Sequence, residues 1–258
     1  MNRYFLFLKL SVLTIIIAIG VLGIRETVYA RQSITVSAAV SLRNAFEEIG
    51  NSFEAKNSGV KVYFNFGSSG SLVQQIISGA PADVFAAASL KDITTLEQKG
   101  LLATDTKANF ASNELVLISA NSPKLMFNTF DELKNSNVKK LAIGNPKTVP
   151  AGRYAEEVLK HFGVYDDIQA NIVYTENVRQ VLDYVSRSEV EAGIVYLSDM
   201  YVATGVKVIT TAPKESHSSI VYPIAVIKDS LNESTARAFV KFVLSTEGHA
   251  ILEKYGFK

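Results

Sequence analysis

Apolar residues along this chain recur with two different periods, and the alternation of the two predicts its elements. "SITVSAA" at 33–39 and "VKVYFNF" at 60–66 are short and rich in β-branched and aromatic residues, as strands are. Between and after them, "SLRNAFEEIGNSFEAK" at 41–56 and "SLVQQIISG" at 71–79 space their apolar residues three and four apart, as amphipathic helices do. The same grammar continues with strands at "ADVFAAAS" (82–89), "ELVLISA" (114–120), "KLAIGNP" (140–146), "ANIVYT" (170–175), "AGIVYLSD" (192–199), "VKVIT" (206–210) and "SIVYPIAVI" (219–227). Helices are predicted near Leu90–Lys99, over Ala151–Phe162, over 176–187 and through the closing segment to Lys258.

Strands that are almost continuously apolar, alternating with amphipathic helices, predict an α/β fold of mostly parallel sheets covered on both faces. The long extended passages "ASNELVLISA" and "ESHSSIVYPIAVI" suit two crossovers between two lobes. The expected organisation is a first, discontinuous lobe from 31–112 plus 219–258, a second lobe from 113–218, and a hinged cleft between them.

The N-terminus changes the picture of where this body works. "MNRYFLFLK" is a short basic head, and "LSVLTIIIAIGVLGI" is an apolar stretch of 15 residues, short against the roughly 20 that span a bilayer. With Val28, Tyr29 and Ala30 after it, residues 1–30 are expected to be a cleaved secretory signal, and the mature protein periplasmic. Cysteine is absent, which excludes disulfides and a lipid-modified cysteine. Without residues 1–30, which carry Arg3, Lys9, Arg25 and Glu26, the 26 basic and 25 acidic residues become 23 and 24. That balance points to no nucleic-acid or anionic-membrane partner. His161, His217 and His249 lie far apart, without metal-ligand spacing, and are expected to be surface or packing residues.

Candidate chemistry sits in the loops that lead from strands into helices, where open parallel sheets collect ligands. These are "AAVSLRN", "FGSSGSL", "NPKTVPAGRY", "YTENVRQ" and "GIVYLSD". They are donor-rich and uncharged: Ser41, Ser68, Ser69 and Ser71 offer hydroxyls, Gly67, Gly70, Ala151 and Gly152 leave backbone amides accessible, and Tyr196 offers a phenol. Helix N-termini carry unsatisfied N–H groups and partial positive charge, so loops of this kind suit a compact oxyanion. Pro150 suits a helix start and Thr175 an N-cap. Arg43, Arg153 and Arg179 fall in first helical turns, where a cation opposes the helix dipole, and are expected to face solvent. Asp83 is expected to accept hydrogen bonds in a loop or hinge, and Glu176 is the one carboxylate near enough in sequence to disturb a charge-neutral site. A serine hydrolase built on Ser69 is disfavoured, since "GSSGS" misses the last glycine of the nucleophile elbow and no loop histidine supplies a base.

The series "ITVSAAVSL", "FGSSGSL", "GAPADVF", "VPAGRYAEEVL", "ENVRQVL", "GIVYLSD", "YPIAV" and "YGF" resembles, through nearly all of residues 31–258, the periplasmic molybdate-binding proteins of ABC transporters, members of the type II periplasmic binding protein family. The resemblance implies a two-lobed fold and a non-enzymatic receptor for molybdate or tungstate, with sulfate as the alternative oxyanion. It implies contacts from Ser41, Ser69, the backbone amides of Ala151 and Val178, and the Tyr196 hydroxyl, with the metal held as its oxyanion and no protein atom bound to it. Gly67 and Gly70 depart from many relatives and leave open which of Ser68, Ser69 and Ser71 reaches the anion. No cofactor is implied. A membrane permease and an ATPase subunit are the implied partners, and a monomer is expected.

Overall fold

Strand β1 (Gln32–Ala39) buries Ile34, Val36 and Ala38 and forms the middle of a first sheet. The computed structural model describes residues 32–121, 127–135 and 138–258, so the expected signal at 1–30 lies outside the described residues. On one side β1 pairs in parallel with β2 (Val60–Gly67), and on the other with β3 (Val84–Ala86). The sheet is completed by β10 (Val221–Ile227) and β4 (Leu102–Ser112), in the order β2-β1-β3-β10-β4. A second sheet has the order β7-β6-β8-β5-β9, formed by β5 (Leu115–Ala120), β6 (Leu141–Gly144), β7 (Ile172–Thr175), β8 (Ala192–Tyr196) and β9 (Val206–Thr211).

In each sheet one strand runs against the other four. It is β10 in the first, antiparallel to β3 and β4, and β5 in the second, antiparallel to β8 and β9. Both are the strands by which the chain arrives from the opposite sheet, after Ser112 and after Thr211. A chain that leaves one sheet at the carboxyl ends of its strands must enter the next at that same side, so the entering strand points the other way. The sheets are therefore mixed, with the carboxyl ends of the eight co-directional strands turned toward the space between them.

Helices α1 (Arg43–Lys56), α2 (Ser69–Ile77), α3 (Leu90–Gln98), α7 (Glu233–Val243) and α8 (Thr246–Lys254) cover the first sheet. The second is covered by α4 (Pro150–His161) and α6 (Val178–Ser186), with a single turn α5 (Tyr165–Ile168) beside α4. Helix α1 buries Ala45, Phe46, Ile49 and Phe53, one stripe at helical spacing. Phe46 packs on Phe64, Phe110 and Phe239 with ring centroids 5.7–6.3 Å apart. Helix α6 buries Val178, Val181, Leu182 and Val185 against the second sheet. Each such side chain contributes about 1.5–3 kcal/mol of burial. Among the described residues no helix is long and apolar enough to cross a membrane.

Candidate functional site

Each βα loop at the facing carboxyl ends places one donor group. After β1 the chain makes a short 3₁₀ turn, Val40–Leu42, before α1, which buries Ser41. After β2, Ser68 takes an extended conformation as N-cap of α2, so Ser69 is that helix's first residue. In the second lobe Pro150 opens α4, where its missing N–H costs nothing, and Ala151 follows in the first turn. Val178 opens α6, and Tyr196 is the last residue of β8.

All five candidate residues, Ser41, Ser69, Ala151, Val178 and Tyr196, line one small cavity between the two lobes. The free space there is small, on the scale of a single water. Ala39, Val40, Gly67, Ser68, Ala88, Val149 and Pro150 complete the wall, so no charged side chain lines it. Ser69 Oγ accepts the Ala88 N–H at 3.0 Å, which leaves its own proton for the cavity. Tyr196 Oη is buried and has no hydrogen-bond partner among the described residues. An orphaned buried hydroxyl costs stability unless a ligand meets it. Burial raises the Tyr196 phenol well above its ordinary range, with Tyr222 nearby adding to the effect, so it remains a donor.

Of the other candidates, Ser71 lies outside the cavity: it receives a hydrogen bond from Ser68 Oγ at 2.8 Å and lines a separate polar hollow with Asn145, Thr148, Tyr174, Thr175 and Glu176. Glu176 is thus placed beyond the cavity wall. Thr175 is not the N-cap of α6; Asn177 is, its Oδ1 accepting Gln180 N–H at 3.1 Å, while Thr175 Oγ1 donates to the Asn177 carbonyl. Asp83 accepts from Thr35 N, Ser230 Oγ and Asn232 Nδ2, fastening the start of β3 rather than a hinge.

The arginines correct a sequence-based expectation. Arg43 is half exposed beside Glu47 and over the Phe66 ring, but Arg153 and Arg179 have side chains only 15% and 19% exposed and turn across the cleft. Arg153 Nη2 reaches Asp92 Oδ2 at 2.6 Å and Ser89 Oγ at 3.2 Å, joining α4 to α3 in the other lobe. Arg179 pairs through Nε with Asp199 Oδ1 at 2.7 Å and donates from Nη2 to the Ser41 carbonyl at 3.3 Å. A third tie is backbone to backbone, Gly70 N–H to the Thr148 carbonyl at 2.9 Å. A closed cleft brings Asp92, Ser89 and the Ser41 carbonyl to these arginines, while Asp199 belongs to the same lobe as Arg179.

Burial raises the Asp199 carboxyl to about 6, against the opposing pull of Arg179. A raised carboxyl binds its proton more tightly folded than unfolded, so its stabilising contribution is full below about pH 4 and is lost as pH rises through about 6. Melting temperatures across this range are expected to carry a falling component that disappears in Asp199→Asn. An identical slope in the variant would remove Asp199 as its source.

A model of the bacterial extracellular solute-binding protein family matches residues 34–258. The molybdate-binding protein ModA of Escherichia coli is 38% identical over 228 residues, covering 87% of this chain and 88% of that protein. ModA of Haemophilus influenzae is 34% identical, covering 93% and 95%. The solved Azotobacter vinelandii periplasmic molybdate-binding protein superposes with a TM-score of 0.78 at 27% identity, covering 87% of this chain and 98% of that one. With its two mixed sheets, its interlobe cavity and these likenesses over almost the whole described body, the chain belongs to the bacterial extracellular solute-binding protein family.

Proposed function

We propose that this protein captures molybdate or tungstate between its lobes and delivers it to an ABC importer, acting as a receptor rather than an enzyme. The observation that carries the reading is the cavity wall: hydroxyls of Ser41, Ser69 and Tyr196 and the helix starts at Ala151 and Val178 converge on one hollow without a charged side chain. Such a wall offers donors on every side, which suits an ion that only accepts. The names of the E. coli and H. influenzae relatives, both molybdate-binding, support the choice of oxyanion.

Closure is driven by the ligand's higher affinity for the closed form, in which donors from both lobes meet it. About five charge-assisted hydrogen bonds at roughly 1.5–3 kcal/mol each exceed the association cost and leave micromolar to nanomolar affinity. The molybdenum is held through its oxygens and needs no cofactor. The closed form docks on a membrane permease served by an ATPase subunit, outside the cytoplasm, where residues 1–30 direct the chain as a cleaved signal. The reading takes a single copy of the chain as the working receptor.

Melting the protein with excess molybdate, tungstate, sulfate or phosphate tests the reading. At a hundred times Kd a ligand adds about 2.7 kcal/mol, which for a chain of this size raises Tm by roughly 5–10 °C. That rise is expected with molybdate and tungstate and not with phosphate. An equal rise with sulfate would make the protein a general dianion receptor, and no rise with any oxyanion would sink the proposal.

A further inference from the structure

Ser41 is not free to choose which way its hydroxyl points. Asn113, in the passage from β4 to β5, accepts at Oδ1 the backbone N–H of Glu114 at 2.9 Å and of Ser198 at 3.3 Å. A backbone amide only donates, so the amide oxygen belongs at that end and Nδ2 at the other. Nδ2 then gives its two protons to Ser198 Oγ at 2.8 Å and Tyr222 Oη at 3.3 Å. Tyr222 Oη accepts from Asn113, and its single proton goes to its other neighbour, Ser41 Oγ, at 3.2 Å. Ser41 Oγ is thereby an acceptor on its inner side, and its own proton turns to the cavity that it lines.

We propose that Asn113 and Tyr222 form a one-way hydrogen-bond relay that locks Ser41 as a donor, so that the cavity selects fully deprotonated tetrahedral oxyanions over those that carry a proton. The inference rests on the oxyanion reading above and adds to it two positioning residues outside the cavity wall. Reversing the relay would strand the Tyr222 proton in a fully buried position, which is costly. The ring is held by Phe110, Tyr196 and Phe257, so the phenol cannot swing to another acceptor. In the same lobe the Ala88 N–H polarises Ser69 in the same sense. An anion that brings its own proton thus meets, at Ser41 and Ser69, hydroxyls that are already committed to donate. The relay also starts in the interlobe passage, since Asn113 bonds at once to Ser198 of the second lobe and Tyr222 of the first.

Calorimetric titration with molybdate, and phosphate by competition, tests this in Tyr222→Phe, Ser41→Ala and the double variant. Tyr222→Phe keeps the ring and is expected to weaken molybdate about tenfold while phosphate holds or improves, so the preference narrows. In the Ser41→Ala background the same change is expected to cost less than about twofold, because the relay no longer has an end. Asn113→Asp puts an acceptor opposite Tyr222 and reverses the relay. Its loss, on the order of a hundredfold, is expected to shrink when Tyr222→Phe is added, whereas a purely Coulombic effect would be equal in both backgrounds. Additive losses, or an unchanged molybdate-to-phosphate ratio in Tyr222→Phe, would overturn the relay alone. A wild-type protein that binds no oxyanion would overturn the functional reading and the relay's selectivity with it.

Discussion

Gly70→Ala is expected to leave the fold intact and weaken molybdate binding by about 10²- to 10⁴-fold. Gly70 is the second residue of α2, and a Cβ placed there would lie 2.6 Å from the Thr148 carbonyl oxygen and 2.9 Å from the Thr148 Cα, against an ordinary contact of 3.4 Å or more. Both are backbone atoms of the opposite lobe and cannot rotate away. The strain is relieved by parting the lobes by ~0.8 Å, which costs nothing within either lobe and breaks the Gly70–Thr148 hydrogen bond. The same parting stretches the reach of Ala151, Val178 and Tyr196 to an anion seated on Ser41 and Ser69. Losing two such bonds costs about 3–6 kcal/mol. Stability without ligand should hold or rise slightly, since alanine favours a helix over glycine by up to about 1 kcal/mol. Titration calorimetry beside a melt separates the two effects, and wild-type affinity in the variant would show that closure to this contact is unnecessary.

On the oxyanion reading, the closed cleft would meet a dianion with neutral donors rather than with unpaired cations. Arg153 and Arg179 stand just behind the cavity, each in the first turn of a helix whose N-terminus points into it, and each is matched by a carboxylate, Asp92 or Asp199. Burial raises the Asp92 carboxyl, with Arg153 pulling the other way. Net charge at the site thus stays near zero, and discrimination falls to donor geometry rather than to bulk electrostatics, as suits a receptor that must release its ion.

Much of this was legible along the chain because the signals were local. Each βα loop announces itself by small polar residues ahead of an apolar stripe, and parallel-sheet topology then gathers those loops at one end, so the donor-rich loops could be named before any fold was seen. The choice among Ser68, Ser69 and Ser71 and the inclusion of Val178 rested on the family resemblance. What escaped depended on partners distant in sequence. Strand β4 (Leu102–Ser112) was not predicted, because it borders its sheet with Thr104, Asp105, Lys107 and Asn109 exposed or half-exposed and lacks the apolar run of its neighbours. The turning of Arg153 and Arg179 away from solvent needs the other lobe in place. Tyr222 reads as one more strand residue and Asn113 as one more extended one, since their bonds to Ser41 and to each other span 181 and 109 positions. Asn177 could have been found by its spacing: an Asn immediately before the apolar stripe of α6 is a better cap than Thr175 two residues earlier.

Gly152→Ala is the second large effect, and it differs from Gly70→Ala by striking within one lobe. A Cβ on Gly152 would fall 1.8 Å from the Gly144 carbonyl oxygen and 2.4 Å from its carbon, so α4 cannot rest on β6 without retreating by more than an ångström. Gly144 is backbone of a central sheet strand, paired on both sides, so it cannot swing away as a flexible side chain would. Since α4 buries Tyr154, Ala155, Val158 and Leu159 on the sheet, its retreat opens packing along the whole helix. A destabilisation of about 2–4 kcal/mol follows, roughly 5–15 °C in Tm for a chain of this length. The Ala151 amide moves with its helix, so molybdate affinity should fall by at least a hundredfold as well. The pair of variants therefore divides the site's requirements: one loses binding with its melt unchanged, the other loses both. Should Gly152→Ala melt and bind like the wild type, the close seating of α4 on β6 would not be what holds this half of the clamp.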